Sequence, residues 1–192
     1  MANFILKPTA GTGNQLVLQN QAGNAIITTG NNATDSIFPA GHILQVQTSI
    51  SGALFQTTTA IPEDDTIPQN TEGGEFCTIA FTPRSATSTI LIDARMSSGK
   101  SGSGGEFTHV IAIFKDSVAD AIAVGYTHVT AGQCAHCTCF HTESAGSTSA
   151  RTYKMRVGSE GGDTLNVNAV GGTARVYGGV SRSGMVITEI AG

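Results

Sequence analysis

Arg151-Thr-Tyr-Lys-Met-Arg-Val157 decides the fold class, because apolar and charged side chains alternate from Tyr153 to Val157. In an extended chain Tyr153, Met155 and Val157 share one face, and the two positively charged residues between them share the other. Thr164-Leu-Asn-Val-Asn168 repeats the alternation, with its leucine and valine on one face and its asparagines on the other. The pattern predicts β-strands that bury one face in a core.

The rest of the sequence extends the same prediction in both directions. The last strand, Gly184-Met-Val-Ile-Thr-Glu-Ile-Ala-Gly192, is strongly apolar, and we expect it to lie inside the β core. Apolar runs of strand length recur upstream, separated by turns rich in Gly, Ser, Thr, Asn and Pro. We predict strands near 42–50, 52–60, 75–82, 88–96, 107–115, 121–129, 135–142, 151–158, 163–169 and 184–190. No segment shows a convincing helical repeat. The expected fold is all-β, a jelly-roll-like β-sandwich over residues 38–192.

Residues 1–37 are predicted to form a short β-rich arm. Asn3-Phe-Ile-Leu-Lys-Pro8 reads as a strand that proline ends, because proline cannot donate to a ladder. Gln15-Leu-Val-Leu-Gln19 and Ala25-Ile-Ile-Thr-Thr29 read as a hairpin, and residues 30–36 as a linker. Three short strands bury little surface, so we expect the arm to need a partner surface.

Two central strands are apolar on both faces, Ile90-Leu-Ile92 and Val110-Ile-Ala-Ile-Phe114. Such strands are either covered by a second layer of the same chain or buried between subunits. The sequence leaves both alternatives open.

The chain resembles small structural proteins of marine bacteriophages, described as tail-fibre or virion proteins. The resemblance rests on Phe38-Pro-Ala-Gly-His-Ile-Leu-Gln-Val46, on residues 79–92, on Thr152-Tyr-Lys-Met-Arg-Val157 and on Met185-Val-Ile-Thr-Glu-Ile190, in this order and spacing. It implies a virion structural protein with a C-terminal jelly-roll module. It also implies a homotrimer, because trimeric jelly rolls of this kind pack one apolar sheet edge around a three-fold axis.

The amino-acid composition limits the classes of partner that we expect for this protein. Charged residues make up only 12% of the chain and the formal net charge is −4, without a basic cluster, so we expect no nucleic acid partner. No apolar run approaches the length of a membrane span, and no membrane insertion is expected. Met1-Ala-Asn-Phe-Ile-Leu-Lys7 lacks the features of a signal peptide, so we expect synthesis in the host cytoplasm. The four cysteines are accordingly expected to be reduced.

Ala94-Arg-Met-Ser-Ser-Gly-Lys-Ser101 comes close to a phosphate-binding loop. Ala94 stands where such a loop needs its first glycine, and a Gly/Ser-rich stretch and a strand follow where a helix should begin. We therefore expect an exposed loop between two strands and no nucleotide site.

Cys134-Ala-His-Cys-Thr-Cys-Phe-His141 is the strongest metal-binding candidate, because zinc prefers thiolate and imidazole ligands. On a strand, Cys137, Cys139 and His141 share one face, with Cys134 at the preceding turn. Alternate side chains on a strand lie ~7 Å apart, which makes tetrahedral closure from one strand difficult. We expect free, buried thiols and no metal or other cofactor. The alternative is a site shared by three copies at a trimer axis.

No catalytic constellation is present, and we expect no enzyme activity. Glu63-Asp-Asp65 reads as a solvated acidic turn. His42, His109 and His128 read as packed or hydrogen-bonded strand residues.

The function expected from this combination is a capsid decoration protein on the virion surface. Its arm, residues 1–37, would add strands to the major capsid protein. The alternative is a short tail fibre or receptor-binding tip that joins tail proteins and contacts host surface glycans. A tail fibre usually needs a shaft, and the sequence shows neither heptads nor a repeat, which favours decoration.

Overall fold

The structure is a computed structural model that describes residues 17–23, 25–29, 36–37, 40–100, 105–130, 132–172 and 174–192. Its strands are β1 (Val17–Gln19), β2 (Ala25–Thr29), β3 (Ser36–Ile37), β4 (Ile43–Ser51), β5 (Phe55–Thr57), β6 (Gly74–Phe81), β7 (Thr89–Lys100), β8 (Glu106–Lys115), β9 (Ala123–Thr130), β10 (Cys134–Ser144), β11 (Arg151–Ser159), β12 (Leu165–Val167) and β13 (Ser183–Ile190). A 3-10 turn spans Tyr177–Gly179. None of these described residues belongs to a helix with the length and hydrophobicity that a membrane crossing needs.

Two antiparallel sheets form the body of the molecule. One has the strand order β4-β13-β7-β10, and the other has the order β6-β11-β8-β9. The chain therefore passes back and forth between the sheets, which is the connectivity of an eight-stranded jelly roll. The short strands β12 and β5 continue the first sheet beyond the end of β13, beside residues 98–100 of β7. The predicted all-β, jelly-roll-like sandwich is confirmed.

The core lies between the two sheets, where the alternation on β11 predicts it. Tyr153, Met155 and Val157 are completely buried, and the Tyr153 ring meets Phe81 edge-on with ring centroids 6.3 Å apart. Ile92 and Met185 face them from the other sheet. Burial of a large apolar side chain stabilises a fold by about 1.5–3 kcal/mol, so this layer is the main source of stability.

The alternation predicted for β12 is only half right. Leu165 and Val167 are buried as expected, but Asn166 and Asn168 are buried too. Asn168 donates hydrogen bonds to the carbonyl oxygens of Ser51 and Ala53, at 3.0 and 2.8 Å. A buried amide is tolerated when its hydrogen bonds are made, and here they tie the β4–β5 connection to the end of β12.

The expected exposed loop at 94–101 is wrong for the residues that the structure describes. Residues 94–100 continue β7, and Ser98 and Lys100 are buried. The Lys100 ammonium group lies 3.0 Å from Asp163 and 2.7 Å from the centre of the Phe107 ring. The carboxylate and the aromatic ring together compensate the Lys100 ammonium group for the hydration that it loses on burial. The strand can therefore continue through Gly99 and Lys100. Ser101 lies outside the described residues.

The arm contains the predicted hairpin, in which β1 pairs with β2 in antiparallel register. The predicted linker ends in an additional strand, because β3 pairs with β2 through Ile37 opposite Thr28. Backbone pairing across a short connection stabilises such a strand even where the sequence lacks a clear apolar pattern. The strand predicted at 3–8 lies outside the described residues.

The second apolar face of β8 is covered by the chain itself. Val110, Ala112 and Phe114 point away from the main core and form a smaller cluster with Ile61 and the partly buried Ala121. The first of the two alternatives therefore holds for this strand, and its two-sided apolar pattern is explained within one subunit.

Candidate binding site

A pocket of about 430 Å³ opens on the outer face of the β6-β11-β8-β9 sheet. One wall is the segment 61–68, and the other is the start of β9 with the residues that precede it. The residues that line it are Ile61, Pro62, Glu63, Asp64, Thr66, Ile67, Pro68, Thr108, Val110, Ala121, Ile122, Ala123, Val124 and Tyr126. Its walls are mainly apolar, with carboxylates at one side.

Backbone hydrogen bonds hold the segment 61–68 in place at both ends. The Ile61 amide donates to the Ser159 carbonyl at 3.0 Å, and the Ala121 amide donates to the Pro68 carbonyl at 2.9 Å. The Gln69 side chain adds a 2.9 Å hydrogen bond to Asp120. Because both ends are fixed to neighbouring strands and connections, the pocket is formed before any ligand enters.

The register between β8 and β9 sets the floor and the rim. Val110 pairs with Tyr126, and Thr108 pairs with His128, so all four side chains lie on the outer face. Val110 is buried beneath the pocket, whereas Tyr126 is 65% exposed. The Tyr126 and His128 rings meet edge-to-face with centroids 5.9 Å apart. The exposed Tyr126 ring therefore lies at the mouth of the pocket, in contact with His128.

A cluster of polar side chains lies at the edge of the pocket, and Thr108 is at its centre. The Thr108 hydroxyl donates to the Glu63 carboxylate, and a Glu160 carboxylate oxygen lies 3.2 Å from the same hydroxyl. Nδ1 of His128 lies 3.1 Å from it. The hydrogen bond from Thr108 holds the pKa of Glu63 below its ordinary value, against the smaller opposing effect of burial. Glu63 is therefore a carboxylate at neutral pH.

These groups are suited to accepting hydrogen bonds from a ligand. The Thr108 side chain is almost completely buried, so its hydroxyl, which has one proton to donate, orients Glu63 and is not presented to solvent. The Thr108 backbone amide donates to the Glu160 carboxylate at 3.3 Å. Among the described residues that line the pocket, none is lysine or arginine. The site thus combines an aromatic surface, apolar walls and negatively charged hydrogen-bond acceptors.

The structure refines the prediction of a solvated acidic turn. Asp64 and Asp65 are exposed, and Asp64 accepts a 2.9 Å hydrogen bond from the Thr66 amide. Glu63 instead joins Thr108. Sequence reasoning missed this cluster, because Thr108, His128 and Glu160 lie on three different parts of the chain. The sequence placed Thr108 and His128 on predicted strands, but it could not show that the two residues pair, because the register between two strands is not a local property.

The cysteine strand is β10, and its register agrees with the prediction. Cys137 and Cys139 are buried on the inner face, and His141 is half-buried on the same face. Cys134, predicted at the preceding turn, is instead the first residue of β10 and is exposed. All four cysteines are free thiols. Burial raises the pKa of Cys137 to about 11 and that of Cys139 to about 12, so neither provides a thiolate at neutral pH. The described residues contain no group of three or more His, Cys, Asp or Glu able to hold a metal ion.

His109 is a buried histidine on the inner face of β8. Its Nδ1 lies 2.9 Å from the Ser98 hydroxyl, and within the described part of the chain its Nε2 has no hydrogen-bond partner. Burial, with a smaller effect of the nearby Lys100 charge, lowers its pKa to about 4. It is therefore neutral at physiological pH, and it packs as the sequence predicts.

A second surface is the outer face of the β4-β13-β7-β10 sheet, which we call the β4 face. Val46 and Ile50 are about half exposed, and Phe140 is 63% exposed. The strand pairings place Thr48, Val186, Asp93 and Phe140 side by side in one row across the sheet. The neighbouring rows contribute further apolar residues, Val46, Leu91 and Ile50. No described residue packs over this face as Ile61 packs over β8.

No protein-family model matches the chain, and no curated protein matches it.

Proposed function

We propose that this chain is a structural protein of a bacteriophage virion, and that it acts as a homotrimeric capsid decoration protein on the virion surface. The observation that carries the proposal is the β4 face, an apolar sheet face that the described part of the chain leaves uncovered. The resemblance to phage structural proteins over residues 38–192 supports the same role. In this role the protein is made in the host cytoplasm and joins the particle there.

The β4 face fits a second copy of the same chain. Val46, Ile50 and Phe140 give it exposed apolar area, and the ion pair of Asp93 with Arg95, at 2.6 Å, is made within the subunit. Exposed apolar patches of this kind are typical of protein interfaces. Copies related by a three-fold axis would bury this apolar area.

The arm supplies the attachment to the particle. Its described strands, β1 to β3, form a narrow sheet with a short edge strand at each side. Such an edge can add to a strand of the major capsid protein, where main-chain hydrogen bonds provide the affinity. The jelly roll, residues 38–192, then faces outward.

Light scattering coupled to size exclusion tests the trimer. We expect about three times the 19.7 kDa chain mass. Ile50→Glu should shift the mass to that of a monomer. Val118→Glu is the matched control, because Val118 has the same exposed fraction, 51%, but lies in the β8–β9 connection. A monomeric wild-type protein would refute the trimer.

Deletion of residues 1–37 tests the arm separately. The shortened protein should remain a folded trimer and should no longer join particles that lack the native protein. Normal decoration by the shortened protein would place the attachment in the jelly roll. Copy number in a density map of intact virions then distinguishes a shell location from a tail location.

A second candidate function is a short tail fibre or receptor-binding tip that joins tail proteins and contacts host surface glycans. The pocket beside Tyr126 favours it, because an exposed aromatic ring beside carboxylates is suited to a small polar ligand. A few copies of the chain at the tail, instead of many on the shell, would select this function.

A further inference from the structure

We propose that the pocket between the segment 61–68 and β9 binds a neutral sugar unit, with Tyr126 as the stacking surface and Glu63 as a hydrogen-bond acceptor. The inference rests on the second candidate function and deepens it, because it locates the glycan contact and names its chemical class. It does not depend on the trimer or on the arm.

The ring of Tyr126 is suited to the C–H face of a pyranose. It is 65% exposed at the pocket mouth, while its paired residue, Val110, is buried beneath the pocket. Contact with His128 limits the movement of one ring edge. A tyrosine side chain offers a large contact area at low conformational entropy cost, so a fixed, exposed ring is an effective binding surface.

The carboxylates select the class of sugar. Glu63 is charged at neutral pH, and Thr108 holds it on the same side of the pocket as Asp64. A carboxylate accepts hydrogen bonds from hydroxyl groups, and such charge-assisted bonds are stronger than neutral ones. The described pocket lining contains no lysine or arginine that could pair with an acidic sugar. Sialic and uronic acids would therefore be repelled, and neutral hydroxyl-rich sugars accepted.

The size of the pocket agrees with one terminal sugar unit. Its volume, about 430 Å³, lies in the lower part of the range of ~300–1,000 Å³ that is usual for small-molecule sites. Fixed walls at Ile61 and Pro68 limit how far a longer chain can enter, so we expect the rest of a glycan to extend into solvent.

Titration by ligand-observed NMR tests the site with methyl glycosides of glucose, galactose and mannose, and with N-acetylneuraminic acid as the acidic sugar. At least one neutral glycoside should bind the full-length protein and the acidic sugar should not. Tyr126→Ala should weaken binding at least tenfold, whereas Tyr126→Phe should retain it. Glu63→Gln should weaken it several-fold, because an uncharged acceptor replaces a charged one.

Tyr177→Ala is the matched control. Tyr177 is 82% exposed but lies in the 3-10 turn before β13, outside the pocket, and its loss should leave sugar binding unchanged. The inference is overturned by binding of none of the neutral glycosides, by preference for the acidic sugar, or by equal losses in the two alanine variants. Mass and particle attachment of Tyr126→Ala, measured in parallel, should equal those of the wild type. A failed sugar site is thereby distinguished from a failed virion role.

Discussion

The Glu189 carboxylate accepts a 2.6 Å hydrogen bond from the hydroxyl of Ser88, a residue 101 positions earlier in the chain. Glu189 lies on the inner face of the last strand and is completely buried. It also accepts hydrogen bonds from the Arg84 and Ser85 amides and from the Gln45 side chain, at 2.8, 3.0 and 2.6 Å. One buried carboxylate therefore fastens the β6–β7 connection and β4 to β13.

Glu189→Gln should destabilise the fold by about 1–3 kcal/mol, because an amide replaces an acceptor with a donor that faces two amide N–H groups. Denaturant unfolding followed by circular dichroism would measure the change. Glu106→Gln is the control, because Glu106 is exposed at the start of β8 and should change stability little. Equal stability of Glu189→Gln and wild type would mean that the carboxylate does not hold the connection.

Stability should fall as the pH drops from about 6.5 towards 4, through His109. Its pKa is about 4 in the folded protein and ordinarily 6.5. Between these values the unfolded chain binds the proton and the folded chain does not, so acid favours unfolding. One unit of pKa difference corresponds to 1.36 kcal/mol, so the loss should reach roughly 2 kcal/mol by pH 5. The measurement is the unfolding free energy at half-unit steps of pH from 7 to 5.

His109→Gln should flatten this pH profile, because the titrating group is removed. His136→Gln should leave it unchanged, since His136 is exposed on β10. A profile that His109→Gln leaves as steep as the wild type would show that another group causes the pH dependence.

Gly125→Ala should destabilise the sandwich by about 2 kcal/mol or more, because a Cβ atom at Gly125 would lie 2.0 Å from the Thr138 carbonyl oxygen. This contact lies between β9 and β10, at the edge where the two sheets approach, and a backbone atom cannot move aside as a flexible side chain can. Thermal unfolding would show the loss. Gly161→Ala meets only the end of the Asp163 side chain at 3.8 Å, so it should behave as the wild type.

Thiol reagents should modify one cysteine rapidly in the native protein at pH 8, and all four after denaturation. Cys134 is exposed, whereas burial raises the pKa values of Cys77, Cys137 and Cys139. Cys134→Ser should remove the rapid phase. Two or more rapid equivalents would contradict the burial of the other cysteines.

Elemental analysis of the purified protein addresses the same strand. We expect no zinc, because the two buried thiols are protonated at neutral pH and the described residues provide no complete ligand set. Zinc near one per chain, or near one per trimer, would instead support ligands shared between copies.

Strand positions were predictable because the chain carries its signals locally. Alternation such as that of Tyr153, Met155 and Val157 marks a half-buried strand without any knowledge of its partner. The local sequence pattern was less informative for residue types, such as lysine, that occur both in exposed loops and, when paired, in buried strands. Lys100 was read as a loop residue, although an aromatic ring and a carboxylate hold it inside the sandwich.

The sequence by itself determined the all-β class, the approximate strands and the buried face of alternating strands such as β11, because strand periodicity depends only on neighbours in the chain. Only the tertiary structure decided the strand order of the two sheets, the coverage of β8 by Ile61 and the meeting of Glu63 with Thr108 and His128. These features depend on register and on contacts between distant segments, and no local pattern specifies which strands pair. The candidate binding site consists entirely of such contacts, which is why it was visible only in the folded chain.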